Sequence, residues 1–236
     1  MITPSLAISL TLVAALAANL LTKLWLNSRQ VRHVAQHRSQ VPAAFVHAIN
    51  IEAHQKAADY TLAKARVSVI DLGLEAITLI AWTLLGGLDL LNQIMLDWFG
   101  VGMSQQIALV VSFTLIGGLI SLPLSLYQTF GIEQRFGFNN TTPKLWLSDM
   151  LKGLLVGMIL GLPILGLVLW LMQAGGVWWW LYTWVALVAY QLFVMWIAPN
   201  VIMPLFNKFT PLEDATLKER VTALMSRSGF TAKGFF

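Results

Sequence analysis

Residues 148–172 read SDMLKGLLVGMILGLPILGLVLWLM, and none of the twenty side chains after Lys152 carries a charge. As a helix, twenty residues rise about 30 Å, the thickness of the hydrocarbon core of a bilayer. The run is apolar all round rather than along one stripe, so it belongs in lipid or deep in a large interior. Four further apolar blocks, at about 5–26, 67–91, 104–126 and 177–201, decide for lipid. The reading is an all-α membrane protein with five transmembrane helices.

The composition agrees. Of 236 residues 57% are hydrophobic and 11% charged, whereas soluble domains carry about a quarter charged. No cysteine occurs, which excludes a disulfide, a thiol nucleophile and a cysteine-ligated metal within these residues. The net charge of +4 is a matter of topology here, so the bilayer is the expected partner and nucleic acid is not.

Block 5–26 is longer than the 7–15 residue core of a signal peptide and follows no basic residue, so it reads as a retained helix. Residues 27–66 are polar and basic and form a cytoplasmic loop, helical in part. A helix is expected to start at Pro42, with Phe45, Ile49 and Ala53 at helical spacing. Turns are expected at 92–102, at the polar, glycine-bearing 130–143 and at 173–176, the last making a tight hairpin of helices four and five.

With the N-terminus outside, Lys23, Arg29, Arg32, Arg38, Lys56, Lys64 and Arg66 face the cytoplasm, as do Arg135, Lys144 and Lys152. Lys208, Lys218, Arg220, Arg227 and Lys233 of the tail complete all fifteen cations on that side. This asymmetry predicts an external N-terminus and a cytoplasmic C-terminus. Trp178, Trp179, Trp180, Tyr182 and Trp184 suit an aromatic belt at the outer end of helix five. The tail changes character: Thr210, Pro211, Leu212 and Glu213 read as a capping box, and Leu217, Val221, Leu224 and Met225 as an apolar stripe, with Gly229 and Phe230 as a stop. A lone amphipathic helix is not a domain, so 1–206 reads as the membrane domain and 207–236 as the beginning of a truncated soluble one.

Two carboxylates need explaining. Asp71 and Glu75 lie four apart on one face of the second block, where an ionisable group costs about 2.5–3.5 kcal/mol at mid-membrane. By helix rise Asp71 is only about 6 Å and Glu75 about 12 Å inside the edge at Val67. They either pair with Arg66, Lys64 or water at the inner mouth, or line a water-filled interior. His33 and His37, four apart, could share a metal ion, but Val34 follows His33 and no third ligand is spaced to help, so a solvated basic loop fits better. His47 and His54 are weaker candidates. No catalytic constellation and no metal-ligand set is expected in this chain.

Four segments resemble the type I CAAX prenyl proteases, integral-membrane zinc metallopeptidases. They are HQKAADYTLAKARVSV from His54, SLPLSLYQTFGIEQRFGFNNTTPKL from Ser121, Asp149 with Lys152, and IAPNVIMPLFNKFTPLEDATLKER from Ile197. The resemblance implies seven helices around an intramembrane chamber and a cytoplasmic metallopeptidase domain following helix five. It also implies zinc held by an H-E-x-x-H helix and a later glutamate. No H-E-x-x-H occurs here, so the chain is expected to be the N-terminal membrane portion of such an enzyme, to bind no catalytic zinc and to be inactive alone. The scaffold does transfer: Glu133, Arg135, Phe136, Gly137, Phe138 and Asn139 match the loop between helices three and four, and Pro204, Phe206, Asn207 and Lys208 match the segment after helix five. They either anchor the soluble domain or contribute to the substrate path. The partners implied are prenylated or membrane-associated polypeptides, in a bacterial inner membrane or the endoplasmic reticulum of a eukaryote. A non-catalytic scaffold is the alternative, and a small transporter, resting on Asn19, Ser112 and Gln191, a weaker one.

Overall fold

The computed structural model describes residues 4–210 and 212–229. Among them every regular element is helical. The chain forms two compact units, Met1–Thr142 and Pro143–Phe236.

In the first unit α1 (Pro4–His37) lies antiparallel to α2 (Ile51–Thr83). Half-buried Leu16, Leu20, Leu24, Asn27, Val31 and Val34 recur every three or four residues of α1, and the small buried Ala58 and Ala65 of α2 let the two backbones approach closely. The Asn27 amide donates to the Ala65 carbonyl at 3.0 Å. Helices of 34 and 33 residues rise about 50 Å each, so both run well past a 30 Å core into the basic region. Most of the expected loop 27–66 is therefore helix, and only residues 38–50 turn the chain. Pro42 opens a single 3-10 turn, Ala43–Phe45, instead of the expected helix. The longer helix begins at Ile51 because the Asn50 side chain accepts the Ala53 N–H at 2.8 Å and caps it.

The second apolar block is not one straight rod. A break at 84–86 separates α2 from α3 (Gly87–Phe99), which turns away by 55°. Gly86 sits at φ +78°, a left-handed conformation open to glycine at little cost. A Cβ on Gly87 would stand 2.7 Å from the Ala81 carbonyl oxygen, so glycine is also what lets the bent chain pass its own preceding turn. Helix continues through 92–99, where a turn was expected. After Gly100 and Gly102, α4 (Met103–Leu126) doubles back on α3. Leu91 and Met95 are buried there, and the Gln105 amide donates to the Asn92 side chain.

Pro123 interrupts the hydrogen-bond ladder of α4, and the helix widens into a π segment, Tyr127–Glu133, before ending in α5 (Gln134–Phe136). Gly131 gives the Tyr127 ring room, since a Cβ there would lie 3.1 Å from it. Helix thus runs to Phe136 where a loop from 130 was expected, and the connection shrinks to 137–142.

The second unit contains α6 (Pro143–Ala174) and α7 (Trp179–Ile197), joined by a tight glycine turn and a 3-10 turn at Gly176–Trp178. The Tyr190 hydroxyl donates across the pair to the Leu160 carbonyl at 2.9 Å. A π turn (Ala198–Ile202) leads to the short α8 (Met203–Phe206). The tail helix, α9 (Ala215–Arg227), starts four residues later than expected. Asp214 is its cap, its carboxylate accepting the Leu217 N–H at 3.0 Å. Gly229 has the expected positive φ of 73°, while Pro211 and Phe230 lie outside the described residues. Among the described residues, four helices are long and apolar enough to cross a membrane, and the spans number five if the bent α2–α3 pair is one.

Candidate functional site

The π segment and the connection after it deliver Arg135, Phe136, Gly137 and Phe138 against the N-terminal half of α2. Tyr60 receives both phenyl rings edge-on, Phe136 with centroids 5.4 Å apart and Phe138 at 4.8 Å. The Lys56 ammonium stands 5.7 Å from the Phe138 ring centre and would be 3.7 Å from a Cβ on Gly137. Gly137 itself, at φ +78°, ends α5 in the left-handed region. Glu133 supplies backbone: its carbonyl accepts the Phe138 N–H at 2.9 Å and the Asn139 N–H at 3.3 Å. The Asn139 side chain accepts the Thr141 N–H at 2.7 Å and closes the turn.

Beside this aromatic clasp, Arg38 and Asp59 form a two-pronged ion pair of 2.7 and 2.8 Å, tying the turn after α1 to α2. The part of α2 before Val67 extends past its apolar stretch, so this pair stands outside the membrane-spanning segment. The hydrogen bond from Arg38 holds the Asp59 carboxyl below its usual range; partial burial opposes this, and the charges of Arg38 and Arg135 add to it. The same contacts push the Arg38 guanidinium up.

Asp71 and Glu75, side by side in sequence spacing, part company. Asp71 lines an open polar cavity of about 390 Å³ with Asn27, Gln30, Lys64 and Gln128, which brings it near one of the two cations expected for it. Glu75 instead faces Lys23 of α1 at 3.6 Å. The histidine rings of His33 and His37 stack at 4.3 Å, but a His37 ring nitrogen bonds the His33 carbonyl and a His54 ring nitrogen the His37 carbonyl. Among the described residues no group of three or more His, Cys, Asp or Glu could hold a metal ion.

In the second unit the Lys152 ammonium is the organising group. It pairs with Asp149 at 3.2 Å, donates to the Leu205 carbonyl at 3.1 Å and stands 5.9 Å from the Phe206 ring centre. This fixes the end of α8, in which Pro204 sits. Asn207 leaves the helix in extended conformation and bonds the Met203 carbonyl at 2.9 Å; Lys208 follows, exposed.

Sequence reasoning did not single out Arg38, Lys56, Asp59 and Tyr60. The signal lay in the segment from His54, where Lys56, Asp59, Tyr60 and Lys64 recur at helical spacing and share one face.

A family described as "CAAX prenyl protease N-terminal, five membrane helices" matches residues 30–208. The CAAX prenyl protease 1 homolog of Oryza sativa subsp. japonica is 32% identical over 222 residues, covering 86% of this chain and 50% of that protein. The CAAX prenyl protease 1 of Saccharomyces cerevisiae is 32% identical over 223 residues, covering 90% and 49%. The crystal structure of S. mikatae Ste24p superimposes with a TM-score of 0.84 at 30% identity, over 94% of this chain and 53% of that one. The chain therefore spans about half the length of the curated relatives it matches.

Proposed function

The chain belongs to the CAAX prenyl protease N-terminal family, and from that premise we propose that its helices are the membrane scaffold of a zinc metalloendopeptidase acting on prenylated or other membrane-associated polypeptides. The observation that carries the proposal is the family match, which runs through every apolar block after the first and ends at Lys208. The orientation proposed with it, N-terminus outside and C-terminus cytoplasmic, is supported by the placement of all fifteen cations. The α2–α3 pair then counts as one bent crossing. In that orientation the clasp on Tyr60 lies toward the cytoplasmic end of α2, and the Lys152 knot lies toward the cytoplasmic end of α6, beside the end of α8 after which the soluble domain is proposed to begin. Leu217 and Leu224 of α9 are 44% and 64% exposed, as expected of the first helix of such a domain.

The residues present do not fit a catalytic zinc, because the sequence holds no H-E-x-x-H and the described residues hold no cluster of three donors. Zinc and its ligands are assigned to the part of the relatives that this chain does not span, and no step of the chemistry is routed through residues here. What this chain contributes is confinement: helices that hold a lipid-modified polypeptide beside the metal. The host membrane would be the endoplasmic reticulum in a eukaryote and the inner membrane in a bacterium.

The test is the purified chain in detergent, offered a farnesylated and an unmodified fluorogenic peptide with and without added zinc. The expected result is preferential binding of the farnesylated peptide and no cleavage in either condition. Zinc-dependent cleavage would overturn the assignment of the ligands elsewhere, and equal binding of both peptides would overturn the substrate class.

A further inference from the structure

The first fifty-one residues contain no acid, and α1 with the turn after it carries four cations, Lys23, Arg29, Arg32 and Arg38. Two are engaged: Lys23 faces Glu75 and Arg38 is held by Asp59. Arg29 and Arg32 have no carboxylate within ion-pair distance among the described residues, and both are exposed. They share one open face of α1 with Trp25 and Leu26 toward its apolar block and with His33 and Gln36 beyond. The Arg29 guanidinium lies 4.9 Å from the Trp25 ring centre, stacked as a cation on an aromatic face. Trp25, Leu26, Arg29, Arg32 and Gln36 are exposed, on the side of α1 away from the half-buried stripe that meets α2.

Depth selects the ligand. The apolar block of α1 ends at Leu26, so by helix rise Arg29 stands about 4.5 Å and Arg32 about 9 Å beyond the hydrocarbon. A headgroup layer is roughly 5–8 Å thick on each side. Arg29 is therefore at phosphate level and Arg32 at the outer margin of the headgroup layer, with a tryptophan where interfacial anchors sit. A helix face that is apolar at its membrane end and doubly cationic one turn further out is complementary to a lipid rather than to a soluble anion. Guanidinium also suits the phosphate, because its planar fork can donate two hydrogen bonds to one group.

We infer that this face of α1 binds the headgroup of an anionic glycerophospholipid of the cytoplasmic leaflet. The leaflet rests on the orientation proposed above; the site itself does not. Basic residues at an anionic surface are each worth a factor of roughly five in affinity, so removing two should cost roughly twenty-five-fold.

The experiment measures binding of short-chain phosphatidylserine and phosphatidylcholine to the detergent-solubilised chain by native mass spectrometry. Wild type should prefer phosphatidylserine. R29Q/R32Q should lose roughly twenty-five-fold of that affinity with its phosphatidylcholine binding and far-UV circular dichroism unchanged. R29K/R32K, which keeps the charge and loses the fork, should fall between them and covers the case in which the first variant misfolds. Equal affinity of wild type for the two lipids would overturn the site. So would an equal loss in R227Q, which would make the effect one of bulk charge, and so would displacement of phosphatidylserine by inorganic phosphate, which would make it a free-anion site. Orientation is read separately from S39C, the only thiol in the chain, with an impermeant maleimide on sealed vesicles. Labelling from the exterior together with a retained phosphatidylserine preference would leave the site standing and reassign its leaflet.

Discussion

Replacing Tyr60 by leucine removes both edge-on ring contacts of the clasp while keeping an apolar side chain of similar bulk. Such aromatic pairs contribute about 0.5–1.5 kcal/mol each beyond area burial. Phe138 is 54% exposed, which places its pair at the lower end, so the two together should stabilise the docked segment by about 1 kcal/mol. That is a factor of roughly five in the equilibrium for local opening. The reporters are built in: the Phe138 and Asn139 amides both bond the Glu133 carbonyl and are released when the segment lifts. Hydrogen exchange in detergent should therefore accelerate about fivefold at these two amides in Y60L, with the amides of α7 unaffected. Y60F keeps the ring and should exchange like wild type. Unchanged exchange in Y60L would refute the clasp, and equal acceleration in Y60F would assign the effect to the hydroxyl instead of the ring.

Gly87→Ala should lower the thermal midpoint in detergent, because its Cβ would meet the Ala81 oxygen at 2.7 Å and the Trp82 ring at 3.1 Å; overpacking of this kind costs about 1–3 kcal/mol. Gly153→Ala, in α6 with nothing within 4 Å, should leave the midpoint unchanged or raise it, by up to about 1 kcal/mol of stability. Lys152→Met abolishes the bond to the Leu205 carbonyl and the Asp149 pair; discounted for its exposure, the loss is about 1 kcal/mol, read as severalfold faster exchange of the Asn207 amide. Asp59 is held below its ordinary range, so its contribution is complete above the unfolded carboxylate range and disappears as pH falls through its depressed folded value. Wild type should accordingly be more stable than D59N at neutral pH, with the gap closing in acid and not in base; a gap that persists in acid would refute the linkage.

The membrane class and the family resemblance were legible in the chain because lipid exposure demands uninterrupted apolar length, and length is a property of sequence order alone. The tight hairpin at 173–176 was legible for the same reason, since two spanning blocks separated by so few residues leave no other path. What composition could not define was where helix ends. Arg, Lys, Gln and Glu are about as good helix formers as Leu, so α1 and α2 continue through the basic region, and Asn50 rather than Pro42 starts the second. The bend at Gly86 and the π segment after Pro123 depend on how one turn fits against the next, which no hydropathy pattern records.

The site divides on the same line. Glu133, Arg135, Phe136, Gly137, Phe138 and Asn139, with Pro204, Phe206, Asn207 and Lys208, were marked only through the family resemblance, which needs nothing beyond the order of residues. That Phe136 and Phe138 close on Tyr60, that Arg38 reaches Asp59, and that Glu75 faces Lys23 while Asp71 lines a cavity were decided only by tertiary structure. Those partners are brought together by the antiparallel packing of α1 on α2 and by the widened turn that swings residues 134–139 back. Sequence order carries the solvent each stretch prefers; the pairing of distant side chains is fixed only once those stretches have packed.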